Sequence, residues 1–181
     1  MMSVKEKQEK AFEAIKGQFS YVNPFQTPRL EKVVIGTGTG KIADKNKIKV
    51  IEDRLSKITG QKAAPRGAKK SIASFKVRQG DVVGYQVTLR GARMYDFLDR
   101  LVNIALPRTR DFRGLPTSGF DEMGNYTLGI KEHTIFPETS DEEVKDLFGI
   151  GITVVTTART KEESKAFLEH LGFPFQKVQS E

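Results

Sequence analysis

The sequence contains no cysteine, which excludes disulfide bonds, thiolate metal sites and a cysteine nucleophile. Its two histidines, His133 and His170, are too few to suggest a zinc site of the usual kind. No apolar run approaches the roughly 18 residues that span a bilayer, and the charged start lacks the apolar stretch of a signal peptide. We therefore expect a cytoplasmic protein with no membrane partner, no metal and no other cofactor.

Catalytic motifs are also lacking. A glycine-rich stretch, Gly36-Thr37-Gly38-Thr39-Gly40-Lys41, follows a predicted strand and precedes a predicted helix. A Walker loop needs glycine where Ile35 stands and Ser or Thr where Ile42 stands, and the dinucleotide-binding pattern would have lysine as its third glycine. His133, next to Glu132, has no nucleophile motif near it. We therefore predict that the protein is not an enzyme. The stretch is either a plain strand-to-helix turn or a place where backbone amides approach RNA phosphate.

Charge is unevenly distributed along the chain, whose formal net charge is +7. Residues 1–118 carry 24 Lys and Arg against 11 Asp and Glu, whereas residues 119–181 carry 6 against 12. A basic part followed by an acidic part suggests two different neighbours, one polyanionic and one cationic. The alternative is a solvated surface that is unevenly charged.

One basic stretch has no acidic residue within it. Its six cations are Lys62, Arg66, Lys69, Lys70, Lys76 and Arg78. Ser71 and Phe75 are interleaved with them, and a basic loop that carries an aromatic ring suits phosphate contact plus stacking on an exposed base. Gly67 and Gly80 near its ends predict a loop that is free to move, so the alternative is a floppy surface loop without a ligand.

A second basic set runs along a predicted helix into the loop that follows. It comprises Arg90, Arg93, Arg100, Arg108, Arg110 and Arg113. Asp96 and Asp99 lie within a helical turn of two of these arginines and predict scaffold ion pairs there. The three arginines in the loop remain candidates for contact with a ligand.

The hydrophobic pattern predicts one α+β domain over residues 1–181, with a mostly antiparallel sheet and helices packed on it. Predicted helices cover residues 3–19, Asp44 to Gly60, Gly91 to Pro107, a short segment from Ser140 and a last segment from Thr160. Predicted strands cover residues 30–35, 61–64, 82–90, 126–130 and 150–156, while 134–136 is ambiguous. A basic loop is expected at 66–80 and a long loop at 108–125.

Several longer motifs resemble one family. Among them are Ile58-Thr59-Gly60-Gln61-Lys62, Ala68-Lys69-Lys70-Ser71-Ile72-Ala73, Val87-Thr88-Leu89-Arg90-Gly91, Arg110-Asp111-Phe112-Arg113-Gly114-Leu115 and Gly172-Phe173-Pro174-Phe175. In order and spacing, over residues 5–175, they resemble the bacterial large-subunit ribosomal protein that binds 5S rRNA.

The resemblance implies a structural, non-catalytic protein of the ribosome with several partners. These are 5S rRNA in the central protuberance, neighbouring large-subunit rRNA and proteins, P-site tRNA and a protein of the small-subunit head. The implied rRNA-binding residues are Gly36, Thr37, Gly38, Gln61, Lys62, Thr88 and Arg90. The implied tRNA contacts are Arg66, Lys69, Lys70, Ser71, Phe75, Lys76 and Arg78. The implied intersubunit bridge uses Arg108, Arg110, Phe112 and Arg113, within the loop from Arg108 to Gly124.

Two departures from the family pattern bear on these contacts. The family commonly has Asn-Met-Gly where this chain has Gly36-Thr37-Gly38, so an amide side chain is missing at residue 36. Either Thr37 takes over, or the glycine backbone does, or the contact is weaker. Ala64-Pro65-Arg66-Gly67 also departs from the usual sequence, at the entry to the basic loop.

Two other functions compete with the ribosomal one. A free RNA-binding regulator or chaperone outside the ribosome would share the basic surface, and sedimentation with 50S subunits at high salt would separate the two. A phosphotransfer enzyme that uses the glycine stretch would bind nucleotide, which a titration with ATP and GTP would test.

Overall fold

The computed structural model describes residues 2–40, 42, 44–110, 112–139 and 147–176. The helices are α1 (Val4–Glu9), α2 (Ala11–Phe19), α3 (Lys45–Thr59), α4 (Gly91–Arg100) and α5 (Lys161–Leu171). The strands are β1 (Leu30–Gly38), β2 (Ala64–Gly67), β3 (Val82–Leu89), β4 (Tyr126–Ile130) and β5 (Ile150–Thr156). They form one antiparallel sheet in the order β2-β3-β1-β5-β4, with β1 at its centre, which confirms the predicted α+β class.

The described residues form two compact units. The first comprises residues 1–33, 90–128 and 153–181, and it contains α1, α2, α4 and α5. The second comprises residues 34–89 and 129–152, and it contains α3, β2 and β3. The core of the second unit includes Leu55 and Ile58 of α3 together with Val87 and Leu89 of β3, all buried.

Local capping chemistry sets four helix ends where the sequence predicted them. Ser3 forms a capping box with Glu6, and the Asp44 carboxylate accepts a hydrogen bond from Asn46 N at 2.8 Å. Gly60 ends α3 in the left-handed conformation at φ 66°. The Thr160 hydroxyl accepts from Glu163 N at 3.2 Å and starts α5. The capping box predicted from Ser140 lies outside the described residues.

Two predicted elements differ in extent from the structure. The helix predicted over residues 3–19 is divided into two, because Lys10 is both the C-cap of α1 and the N-cap of α2. The strand predicted at 61–64 starts only at Ala64, since the residues before it are tied to the end of α3. There Ala63 N donates to Ser56 Oγ at 3.2 Å, and Gln61 N donates to Thr59 Oγ1 at 3.4 Å.

The segment after α4 is more ordered than predicted. A π-helical turn at Leu101–Ala105 and a 3-10 turn at Leu106–Arg108 replace the last part of the predicted helix. The predicted long loop at 108–125 is anchored, because Leu115 N donates to Pro174 O at 2.7 Å and the Leu115 side chain is buried. The ambiguous residues 134–136 fall largely within a 3-10 turn, His133–Ile135.

Candidate nucleic-acid interface

In the second unit, the strand face opposite the core carries glycine at two positions of β1 and polar side chains on β2 and β3. Alternation along β1 buries Ile35 and Thr37, which leaves Gly36 and Gly38 on the opposite face. The same alternation along β3 buries Val87 and Leu89 and turns Gln86 and Thr88 away from the core. We call Gly36, Gly38, Gln61, Arg66, Gln86 and Thr88 the open face. Because glycine has no side chain, its strand backbone is accessible to the backbone of a ligand.

Side chains at the edge of the open face are held by hydrogen bonds. Arg66 Nε donates to Gln86 Oε1 at 2.7 Å, across the antiparallel pairing of β2 with β3. Gln61 Nε2 donates to the Thr88 carbonyl at 3.4 Å. Arg66 is exposed and keeps further guanidinium donors for a ligand. The open face thus combines bare backbone with positioned amide and guanidinium groups.

Thr37 is oriented differently from its neighbouring glycines. Its side chain is buried, at 8% exposure, and its hydroxyl donates to Gly149 O at 2.8 Å. The expectation that Thr37 could replace the missing amide at residue 36 is therefore corrected. The Thr37 hydroxyl stabilises the core side, so the backbone at Gly36 and Gly38 is what this part of β1 offers to a ligand.

Two further predicted rRNA ligands are exposed cations. Lys62 follows Gln61 at the end of α3. Arg90 belongs to the first unit, where it precedes α4 in an extended conformation.

Beneath the open face, burial raises the pKa of Tyr85, and the Glu52 carboxylate raises it further, so this phenol stays neutral at physiological pH.

The basic loop at 66–80 is a closed hairpin rather than an irregular stretch. Its base is tied by Ala68 N donating to Asp81 O at 2.8 Å and by Gly80 N donating to Ala68 O at 3.0 Å. An antiparallel bridge pairs Ile72 with Val77 nearer the tip. The predicted tRNA contacts Lys69, Lys70, Ser71, Phe75, Lys76 and Arg78 are all exposed. The Ser71 hydroxyl already accepts a hydrogen bond from Gln79 N at 2.9 Å.

A groove of about 700 Å³ lies between this hairpin and the end of β1. Ile72, Phe75, Val77 and Val83 give it an apolar wall, while Lys69 and Lys70 add positive charge. Gly38 lines it as well, so the groove joins the open face to the basic loop. Phe75 is 68% exposed and is available for stacking.

The predicted bridge residues belong to the first unit. Arg108, Arg110 and Arg113 are exposed, and Phe112 is half-buried. Of the two acids predicted to pair with helix arginines, Asp99 accepts a hydrogen bond from Val4 N at 2.9 Å and so anchors α1.

Family models match this chain over most of its length. The model for ribosomal protein L5 matches residues 23–78, and the model for the C-terminus of the same ribosomal family matches residues 82–175. The chain belongs to the ribosomal protein L5 family.

Individual relatives support the same assignment across the full length. A protein of Anaeromyxobacter sp. (strain K) is 51% identical over 174 residues, covering 95% of this chain and 97% of its own. Proteins of Flavobacterium johnsoniae, 52% identical over 165 residues, and Nitratidesulfovibrio vulgaris, 51% over 172, cover 90% or more of both chains. All three are named large ribosomal subunit protein uL5.

Membership of the L5 family makes the chain a structural, RNA-binding component of the ribosome and not an enzyme. The phosphotransfer alternative is therefore dropped. His133 is buried, its ring stacks on Phe148 at 4.2 Å, and its Nδ1 accepts from Phe148 N, which makes it a core residue. The described residues include no cluster of three acidic or histidine side chains suited to a metal and no helix able to span a membrane.

Two residues in or next to the open face were not predicted from the sequence. Gln86 shares the open face with Thr88, and the two-residue period of a strand would have shown this. Gly84 is required for pairing, because a Cβ atom there would lie 2.7 Å from Thr37 O. A glycine inside a predicted strand was the available signal for a close backbone approach.

Proposed function

We propose that this chain holds 5S rRNA in the large ribosomal subunit through its open face. The observation that carries the proposal is the bare strand backbone at Gly36 and Gly38 beside the positioned side chains of Gln86 and Arg66. Such a surface admits an RNA backbone closely and offers donors for phosphate and 2′-hydroxyl oxygens.

Affinity and selectivity have different sources in this proposal. Exposed cations, Lys62 and Arg66 among them, supply electrostatic attraction that any RNA would feel. The pairing of β2 with β3 fixes the positions of the neutral hydrogen-bonding groups, so the open face fits one RNA surface better than another. Family membership favours this role over that of a free regulator or chaperone outside the ribosome.

The basic loop is proposed to contact P-site tRNA. Its exposed cations, Lys69, Lys70, Lys76 and Arg78, extend along a hairpin whose base is closed by hydrogen bonds. Phe75 and the apolar wall of the groove suit stacking on a base, and the lysines suit the adjacent phosphates.

The long loop is proposed to bridge to a protein of the small-subunit head. Three exposed arginines and the half-buried Phe112 lie within six consecutive residues of this loop. Arginine and aromatic side chains are enriched at protein interfaces, which supports this use of Arg108, Arg110 and Arg113.

Replacing Thr88 with alanine tests the open face. The variant should bind 5S rRNA about fivefold more weakly, which corresponds to roughly 1 kcal/mol for a lost hydrogen bond. Thr37→Val is the matched control, since its hydroxyl bonds to Gly149 O on the core side. It should lower the free energy of unfolding by about 1 kcal/mol and leave 5S rRNA affinity unchanged. Wild-type affinity of a folded Thr88→Ala variant would remove Thr88 from the interface.

A further inference from the structure

The turn between α2 and β1 presents an aromatic ring that the core does not use. Phe25 is 78% exposed. The turn around it is fixed by its own side chains: Asn23 Oδ1 accepts from Phe25 N at 2.9 Å, and Gln26 Oε1 accepts from Val22 N at 2.9 Å and Asn23 N at 3.2 Å. Pro24 fixes a further backbone angle. A ring held this way loses little entropy when a partner binds.

A cation lies beside the ring. The Arg29 guanidinium is 5.4 Å from the centroid of Phe25. The backbone of Arg29 is also fixed, since Arg29 N donates to Thr157 Oγ1 at 2.9 Å and Thr157 N donates to Arg29 O at 3.0 Å. The backbone that carries the ring and the guanidinium is therefore fixed before any partner arrives.

Two arginines are exposed on the segments around this turn, and the exposed acids there are Glu31, which pairs with Lys32 at 3.5 Å, and Glu162. Arg29 is exposed, and so is Arg159, which follows Thr157 by two residues. Glu163 is only 8% exposed, and its carboxylate accepts hydrogen bonds from the Tyr21 hydroxyl and from Arg159 N. Because Glu163 is hydrogen-bonded inside the first unit and Glu31 is paired with Lys32, the guanidinium groups of Arg29 and Arg159 suit an anionic partner.

We propose that Phe25 and Arg29 form a second RNA contact, in which an unpaired nucleobase of ribosomal RNA stacks on Phe25 and its phosphate binds Arg29. An aromatic ring with an adjacent arginine suits this ligand, because every base has a stacking face. The inference rests on the proposed rRNA-binding function, but its residues lie in the first unit and not on the open face. The nucleotide belongs either to 5S rRNA or to the larger rRNA of the subunit.

The test uses large subunits that contain wild-type protein, Phe25→Ala or Phe25→Tyr, with chemical probing of unpaired bases in both RNAs. Met123→Ala is the matched control, because Met123 is 72% exposed on another turn of the same unit. Phe25→Ala should expose one base that wild type protects, and Phe25→Tyr should protect it again. If the base that Phe25→Ala exposes belongs to 5S rRNA, this variant should also bind purified 5S rRNA about tenfold more weakly than wild type. If the exposed base belongs to the larger rRNA, the affinity of Phe25→Ala for purified 5S rRNA should be unchanged.

Identical base reactivity in wild-type and Phe25→Ala subunits would overturn the proposal. So would a photoreactive amino acid at position 25 that crosslinks to a protein instead of RNA. Neither result would contradict the proposed binding of 5S rRNA to the open face, which the Thr88→Ala titration tests separately.

Discussion

At the scale of single residues, two glycines on neighbouring strands have different roles. A Cβ atom at Gly84 would lie 2.7 Å from Thr37 O, whereas one at Gly36 would meet Tyr85 O at an ordinary 3.6 Å. Gly84 is thus needed for strand pairing, and Gly36 keeps the open face bare.

Alanine at Gly84 should therefore destabilise the protein. The added methyl group pushes against backbone that belongs to a paired strand, and overpacking of this kind costs about 1–3 kcal/mol. Urea denaturation measures the change, with Gly36→Ala as a control that should stay within about 0.5 kcal/mol of wild type. A Gly84→Ala variant as stable as wild type would contradict the close approach.

The orientation of Thr37 shows where residue-level reasoning from sequence stopped. The predicted strand ended at Ile35, so the alternation that places Thr37 with the buried residues could not be applied to it. The observed strand continues to Gly38, and Thr37 then falls on the core side. The resemblance implied rRNA contacts at Gly36, Thr37, Gly38 and Thr88 but carried no information about which side of the sheet each residue faces.

At the scale of elements, caps were predictable and long-range anchors were not. Ser3, Asp44, Gly60 and Thr160 act through residues within four positions of themselves, so their chemistry is visible in the sequence. The anchored part of the long loop depends on the contact of Leu115 with Pro174, 59 residues away. Local patterns contain no such information.

The basic loop should be separable from the proposed 5S rRNA site. Deleting Lys69 to Arg78 and joining the ends with a short Gly-Ser link keeps Ala68 and Gly80, whose hydrogen bonds close the hairpin base. We expect 5S rRNA affinity to stay within about threefold, or roughly 0.7 kcal/mol. Subunits that contain the variant should hold P-site tRNA less firmly, as filter binding would show. Loss of 5S rRNA binding by the folded variant would make the loop part of the rRNA anchor.

At the scale of the whole molecule, the charge asymmetry of the sequence fits an RNA-binding protein. The net excess of positive charge lies in residues 1–118, which include the open face of β1 and β3 and the basic loop. The acidic remainder is available for a cationic neighbour or for solvent.

Binding of 5S rRNA should accordingly depend strongly on salt. If about six phosphates are neutralised, log affinity should fall against log salt concentration with a slope of about −4 to −5. A series of filter-binding titrations at increasing KCl measures this slope. A slope near zero would rule out the basic surface as the main source of affinity.

The most direct test of the open face is to fill it. At Gly38 and at Gly17 of α2 an added Cβ atom would meet nothing within 4 Å, so leucine at either position should leave the fold intact. Gly38→Leu places a bulky side chain where RNA should approach, and its affinity for 5S rRNA should fall more than about tenfold, or 1.4 kcal/mol. Gly17→Leu should bind like wild type. Wild-type affinity of folded Gly38→Leu would show that 5S rRNA does not bind there.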